Sequence, residues 1–341
     1  MLSSHTFTNA TQNWIDFHRL MTALLRFVKA FTSKPQFQLS SKQLYRATQR
    51  ILLLLLHDFS EYLSEYYGGL IDVIPSSCTQ LRNLILSAYP RNAATSTLPD
   101  PFMPSIDIEA MPQCQTDPTI SSDYMAVLVN SGLKDLVEKY VSEGDDSGVV
   151  AEIVQKITLD NNDNEEWKYN VPAINSLVLF IGVDAISRSQ GGVKFDSAST
   201  NVKLINKLIT KLDPEGEQNN LPITHLLTAH VARYLILSAM ANQLRFPSSH
   251  TYWFNKLCLN VLEESAASDD NIVEILTRVL LERLLVTKPH PWGLLLTFFN
   301  VFLNKHFKTY QAKFSALAPE FATIFDSVEK SFGRVATVAQ E

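Results

Sequence analysis

The chain has 341 residues, 46% apolar and 19% charged, with 29 Lys and Arg against 35 Asp and Glu for a formal net charge of −6. That apolar share excludes a disordered chain and allows a sizeable buried core, in one large domain or two smaller ones. The mild acidity argues against a surface that binds nucleic acid mainly by neutralising phosphates, while leaving room for a local basic patch.

Apolar residues recurring at three- and four-residue steps predict helices over 10–32, 40–66, 76–89, 121–141, 147–158, 171–188, 199–212, 221–244, 249–266, 271–287, 291–304 and 319–333. Alternating strand patterns are lacking. Between the third and fourth helices, Pro90, Pro99, Pro101, Pro104, Pro112 and Pro118 forbid continuous helix. The segment 90–120 is therefore expected to run extended along the helices, held by Leu98, Phe102, Ile106, Ile108 and Met111. Glu143 to Ser147, Asp160 to Glu166 and Ser187 to Thr200 read as surface loops.

In 199–212 the apolar set Ile205, Leu208, Ile209 and Leu212 faces away from a stripe of Lys203, Lys207 and Lys211. The stripe is either a solvated face or a dock for acidic peptide or RNA phosphate. The stretch 221–244 is apolar around much of its circumference, as a helix buried between neighbours is. Along 249–266, Phe254, Leu257, Cys258 and Val261 define the core side. At about 100° per residue, Tyr252 and Leu259 fall nearly opposite, flanked by Lys256 and Glu263. Tyr252, Trp253 and Leu259 are thus candidates either for contact with the next helix pair or for a groove that takes an apolar partner segment.

Asn271 with Glu274 resembles a capping arrangement, and Glu274, Arg278 and Glu282 line the polar side of the following helix. Thr287-Lys288-Pro289-His290-Pro291 stops it, and Pro291 suits the first turn of the next, so the two should form an antiparallel hairpin. Helix pairs spaced by roughly 40 residues point to an all-α fold of HEAT-like stacked hairpins in a single domain, 1–341, without a repeat in the residues themselves.

Chemistry is sparse. Eleven glycines form no GxSxG elbow, phosphate-binding GxxxxGK[ST] loop or dinucleotide GxGxxG. His225 and His230 are five apart and do not share a helical face, so no metal site is expected. His57-Asp58 with Glu61 and Glu65 reads as a polar helix face rather than an acid/base group. Cys78, Cys114 and Cys258 lie far apart with no CxxC pair, which favours a reducing compartment. The most apolar run, Ile51 to Leu56, stops at His57, far short of the about 20 residues a membrane-spanning helix needs. Met1 to His5 carry no signal-peptide pattern, which leaves the Asn9-Ala10-Thr11 sequon without a secretory context.

Several long strings, in order, carry a specific likeness: HDFSEYLSEYY from His57, DVIPSSCTQLRNLILSAYPRN from Asp72, LPDPF at 98–102, NSLVLFIG from Asn175, ANQLRFPSSHTYWF from Ala241 and ILTRVLLERLLVTKPHPWGLLLTF from Ile275. From about residue 50 to 300 the chain resembles the C-terminal homology domain of the NOT-one scaffold subunits of the CCR–NOT deadenylase complex. It departs in Ala93 to Thr97, in much of 104–170 and in 188–222. The resemblance implies a helical, HEAT-like docking domain without cofactor or catalytic activity. It further implies anchoring of extended N-terminal regions of the NOT-two and NOT-three/five subunits and of short peptide motifs of RNA-binding repressors. With it come roles in mRNA deadenylation, decay and translational repression, indirect contact with mRNA, and a place in cytoplasm and nucleus. The competing reading is a helical-repeat domain that binds RNA directly, for which the lysine stripe is the one hint.

Overall fold

Amphipathic repeats of this strength fold as helices wherever a neighbour can cover the apolar stripe, and the computed structural model is built that way. It describes residues 3–32, 39–75, 77–90, 98–103, 106–144, 147–159, 168–189, 191–211, 223–265 and 270–317, of which 3–13, 147, 211, 223–229, 270 and 312–317 are described by backbone alone. The helices are α1 (Ser3–Thr32), α2 (Leu39–Asp58), α3 (Ser60–Ile71), α4 (Thr79–Leu86), α5 (Tyr124–Asn130), α6 (Lys134–Glu143), α7 (Ser147–Ile157), α8 (Val171–Ser187), α9 (Thr200–Lys211), α10 (Ile223–Ala241), α11 (Ser249–Ser265), α12 (Asp270–Leu284), α13 (Trp292–Leu303) and α14 (Lys305–Leu317). Among the described residues the only β contact is an antiparallel bridge between Thr158 and Tyr169. The fold is all-α.

Two expected helices are each two. The span 40–66 breaks at Phe59, whose backbone (φ −136°, ψ 49°) leaves helical geometry between α2 and α3. Its ring turns out to meet Trp14 of α1 at 5.7 Å, and Trp14 in turn stacks on Tyr62 at 5.1 Å. The span 121–141 breaks at Gly132, the one residue there with positive φ, +67°. Leu133 N–H donates to Leu128 O and Gly132 N–H to Val129 O, both at 3.0 Å, the pair of bonds that closes a helix on a left-handed glycine. Asp123 caps the start of α5 by accepting from Ala126 N–H at 3.1 Å. The expected helix at 319–333 lies outside the described residues. α14 was not anticipated. Pro291 stands one residue ahead of α13 rather than in its first turn, and α12 begins at Asp270, one residue before Asn271.

Sequential helices pack as neighbours: α1 on α2, α3 on α4, α5 on α6, α8 on α9, α11 on α12 and α12 on α13. The centre is made by α8, α10 and α11, with α8 touching α5, α10 and α11. Most of the buried apolar side chains fall into two clusters. The smaller joins α1 to α4 through residues such as Leu25, Leu52, Leu63, Tyr67, Leu81 and Ile85. The larger runs from Ile108 to Tyr310 and draws on α5 to α14. The proline-rich segment serves the larger: Ile108 and Cys114 are buried in it, Phe102 meets Phe299 edge-on at 6.1 Å, and Trp292 Nε1 donates to Pro99 O at 2.8 Å. A single 3₁₀ turn, Pro112–Gln115, interrupts the extended run.

α8 and α11 approach closely where α8 carries Gly182. A Cβ at that position would lie 2.6 Å from two ring atoms of Phe254. Helix propensity alone favours Ala over Gly by about 1 kcal/mol. The clash reverses the sign: Gly182→Ala is expected to lower stability by about 1–3 kcal/mol, seen as a lower urea midpoint. A midpoint at or above that of the parent contradicts the packing of α8 on α11.

Candidate functional site

The aromatic residues singled out on α11 are not on an open face. Tyr252 is 2% and Trp253 1% exposed, and Leu259 is half-buried against the larger core. Over Tyr252 lies the chain's own proline-rich segment. Ser249 N–H donates to Thr116 O at 3.0 Å, and Ser249 Oγ donates to Asp117 Oδ1. Lys256 pairs with Glu109 at 3.6 Å and lies 5.9 Å from the Tyr252 ring centre. Burial pushes the Tyr252 phenol up, Glu109 adds to that, and a hydrogen bond with the Phe195 backbone opposes it. Trp253 sits between Phe195 (5.9 Å) and Phe254 (4.9 Å). A helical wheel sees one helix and its own residues, so it cannot register a strap that crosses the polar side. Tyr252 and Trp253 are buried by the chain itself, and Leu259 is half-buried against the larger core.

α9 gives Val202, Leu204, Ile205, Leu208 and Ile209 to the core. Lys203 is exposed and Lys207 half-buried, while the side chain of Lys211 lies outside the described residues. Asn206, beside Lys207, donates to Glu264 at 2.6 Å, so a carboxylate of α11 borders the stripe. His57 Nδ1 and Asp58 Oδ1 are 2.7 Å apart, with both side chains more than half exposed. Burial pushes the Cys114 and Cys258 thiols up to about 12, far from the thiolate a nucleophile requires. Among the described residues no three His, Cys, Asp or Glu side chains are grouped to hold a metal ion, and no helix is long and apolar enough to cross a membrane.

The convergent polar chemistry lies instead between the two cores. Arg245, in the turn from α10 to α11, is 2% exposed and faces α3. Its guanidinium stands 3.7 Å from the centre of the Tyr67 ring, and Nη1 donates to Ser64 O at 2.7 Å. Tyr67 Oη donates to Gln243 Oε1 at 2.7 Å, which fixes the ring under the cation. Burial, opposed by Tyr67, lowers the Arg245 affinity for its proton, and burial with Arg245 nearby holds His250 down to about 3. Further along, Asn83 donates to Arg283 O at 2.6 Å, and Arg283 Nη2 donates to Asn242 Oδ1 (2.7 Å), Ser238 Oγ (2.8 Å) and Ser238 O (3.0 Å). Asn242 donates to Asn175 Oδ1 at 3.2 Å, and Asn175 to Asp72 Oδ1 at 2.7 Å. These side chains come from α4, α8, α10, α12 and the turn after α3, so they meet only when the two cores do.

The seam opens at one end into a pocket of about 310 Å³, within the size range of specific ligand sites. Its walls carry Lys29, Arg82 and Arg283 as cations, Asp72 and Glu282 as carboxylates, and Tyr169, Pro172, Asn175, Tyr234 and Ser238 between them. Glu282 accepts from Tyr234 Oη at 2.8 Å. Desolvation lowers Arg283 to about 9, and the like charge of Arg82 adds to it. Burial raises the Asp72 carboxyl to about 6, against the hydrogen bond from Asn175 and the charge of Arg82. None of Arg245, Asp72, Arg82 or Arg283 stood out from the sequence for a role, and the Tyr66-Tyr67 pair stood out only as concentrated aromatics suited to an interface or a core. They do stand inside the strings that carry the family likeness.

A family model described as "CCR4-Not complex component, Not1" matches residues 1–329. A relative from Caenorhabditis elegans, CCR4-NOT transcription complex subunit let-711, is 32% identical over 326 residues, which take in 94% of this chain and 11% of that protein. The chain thus spans a small part of the length of the curated relatives it matches. A structure of the NOT1 superfamily homology domain from Chaetomium thermophilum superposes with a TM-score of 0.79 at 27% identity, covering 92% of this chain and 58% of that one. A Not1 C-terminal domain solved in complex with Not4 superposes at 0.69 and 25% identity, covering 86% and 55%.

Two outcomes follow from the seam. In a double-mutant cycle of Arg245→Met and Tyr67→Leu, the coupling energy from urea unfolding should reach about 2 kcal/mol, as for a desolvated cation over a ring. Strict additivity contradicts the contact. For Asp72, folding raises the pKa from 3.8 to about 6. Its contribution is therefore fully present below the unfolded value and is lost as pH rises through the folded one. Asp72→Asn should gain on the parent as pH rises from about 4 to 6 and hold a gain of at most about 3 kcal/mol above that. A pH-independent difference in urea midpoint contradicts the raised pKa.

Proposed function

The chain belongs to the Not1 family of CCR4-Not complex components, and from that premise we propose that it is a non-catalytic docking domain of the scaffold subunit. The observation that carries the reading is the superposition of 86% of this chain on a Not1 C-terminal domain that was solved with another subunit bound. The surface fits this role. The described thiols are buried, and many of the seam's polar side chains bond one another. Its clients are the extended N-terminal regions of the NOT-two and NOT-three/five subunits, a Not4-like subunit, and short peptide motifs of RNA-binding repressors. In this reading the domain serves mRNA deadenylation, decay and translational repression in cytoplasm and nucleus, and touches mRNA through its partners.

Direct RNA binding by the α9 lysines is the second reading, and the bordering Glu264 disfavours it. Purified chain mixed with extended subunit regions should melt at a higher temperature in a concentration-dependent way, by about 2.7 kcal/mol at about 100 times the dissociation constant. No shift at saturation contradicts docking. Capture of RNA that survives a rise from about 50 to 200 mM salt would contradict indirect contact, because phosphate-driven adventitious binding falls steeply over that range.

A further inference from the structure

Six consecutive apolar residues on one helix cannot all face a core, because at about 100° per residue they cover the whole circumference. The run Ile51 to Leu56 on α2 is of that kind. Leu52 and Leu55 are buried, while Ile51, Leu53 and Leu54 are exposed, Leu54 by 63%. Leu20, Phe27 and Phe31 of α1 are exposed too and, at seven- and four-residue steps, share one face of that helix. Of the fourteen large apolar side chains exposed among the described residues, nine fall between Ile15 and Phe59, a concentration that marks a contact surface. The main neighbours of this helix pair are α3 and α4, which take its buried side.

The same pair is the basic part of an acidic chain. Residues 1–57 hold seven Lys and Arg and a single acid, Asp16, for a charge of +6. The remaining 22 basic and 34 acidic residues leave the rest of the chain at −12. Asp16 is engaged by Arg19 at 3.0 Å. On α2, Lys42, Arg46 and Arg50 recur at four-residue steps, are exposed, and belong to no ion pair among the described residues. Arg46 and Arg50 stand next to Ala47 and Ile51, so a basic row runs alongside the exposed apolar row of Ala47, Ile51 and Leu54.

We propose that the exposed side of α2 receives a helix of another subunit, one with apolar residues at three- and four-residue steps and Glu or Asp beside them. The two rows select this occupant. Its apolar stripe covers Ile51 and Leu54, and its carboxylates face Lys42, Arg46 and Arg50, as flanking charges do in paired helices. A second copy of the chain would set +6 against +6. An anionic bilayer is a plane that also meets the acidic remainder of the molecule, and contact with RNA phosphate makes no use of Leu53 and Leu54. The proposal rests on the docking reading for the source of the helix, but the affinity of α2 for an acidic amphipathic helix does not.

The test uses the full chain and three fluorescent peptides of 20 residues, the length of α2. One has leucine at the a and d positions of a heptad and glutamate at e and g; the second has lysine at e and g; the third keeps glutamate and has serine for leucine. Affinity is read by anisotropy at constant ionic strength for the parent, for Leu54→Ser, for Arg46→Glu with Arg50→Glu, and for Leu285→Ser, an equally exposed leucine outside α2. The substituted side chains are all exposed, and circular dichroism checks that the helix content is kept. The parent should bind the leucine–glutamate peptide and neither of the others. Both α2 variants should weaken that affinity by about tenfold or more, Leu285→Ser should not, and the charge-reversed variant should prefer the lysine peptide. Equal binding of the glutamate and lysine peptides, an unchanged affinity in the α2 variants, or tighter binding to phosphatidylserine vesicles or polyuridylate than to the peptide would overturn the proposal. So would a longer chain of the family that contains this helix pair and ignores the peptide, since the scaffold then covers the face itself. Subunit regions that raise the melting temperature of a chain without peptide affinity remove this site and leave docking in place. Peptide binding by a chain that gives no response to subunit regions does the reverse.

Discussion

A guanidinium with no carboxylate partner among the described residues sits between two apolar cores and holds them in register. Arg245 is placed by the turn that follows α10, and it meets two groups of α3: the face of Tyr67 and the carbonyl of Ser64. Burying a cation is expensive unless its donors and its charge are answered. The placement of α3 against the α10–α11 turn gives Nη1 the Ser64 carbonyl and sets the charge over the Tyr67 face. The same placement brings Asn83 to the carbonyl of Arg283 and Asp72 to Asn175. Apolar surfaces alone would tolerate sliding, since hydrophobic contact has no direction. The polar seam supplies the direction.

The proline-rich segment solves a second problem of the fold. α11 must bury Trp253 and Phe254 against α8, yet it also carries Tyr252 on the far side. Proline prevents the segment 98–120 from becoming a helix, and an extended backbone can lie close along α11 with its own carbonyls offered to helix donors. Thr116 O accepts the Ser249 amide, one of those at the start of α11 that no earlier turn can satisfy. Cys114, fully buried, plugs the same contact. Tyr252 and Trp253 thereby become internal packing.

Much of the architecture was legible. Three- and four-residue steps gave the helices from α7 to α13 to within a few residues, and the proline run marked the strap. The misses have local causes. Gly132 is one glycine within an otherwise helical pattern, and its left-handed conformation is a bond pattern rather than a composition. Phe59 is an ordinary residue for a helix, and it leaves the helix because Trp14, far off in sequence, offers its ring a partner. The lysine stripe was read from its own helix, and the carboxylate beside it belongs to another.

The sequence by itself determined that this chain is helical, apolar enough to bury a large core and free of metal-binding and phosphate-loop motifs, and its long strings determined the family. Those properties follow from neighbours a few residues apart or from words long enough to be specific. Tertiary structure alone decided that Tyr252 and Trp253 are buried, that Arg245 answers Tyr67 across 178 positions of chain, and that Lys29, Arg82 and Arg283 wall one pocket. Whether a polar side chain is spent or available depends on what stands opposite it, and the opposing groups here come from helices that no local period connects.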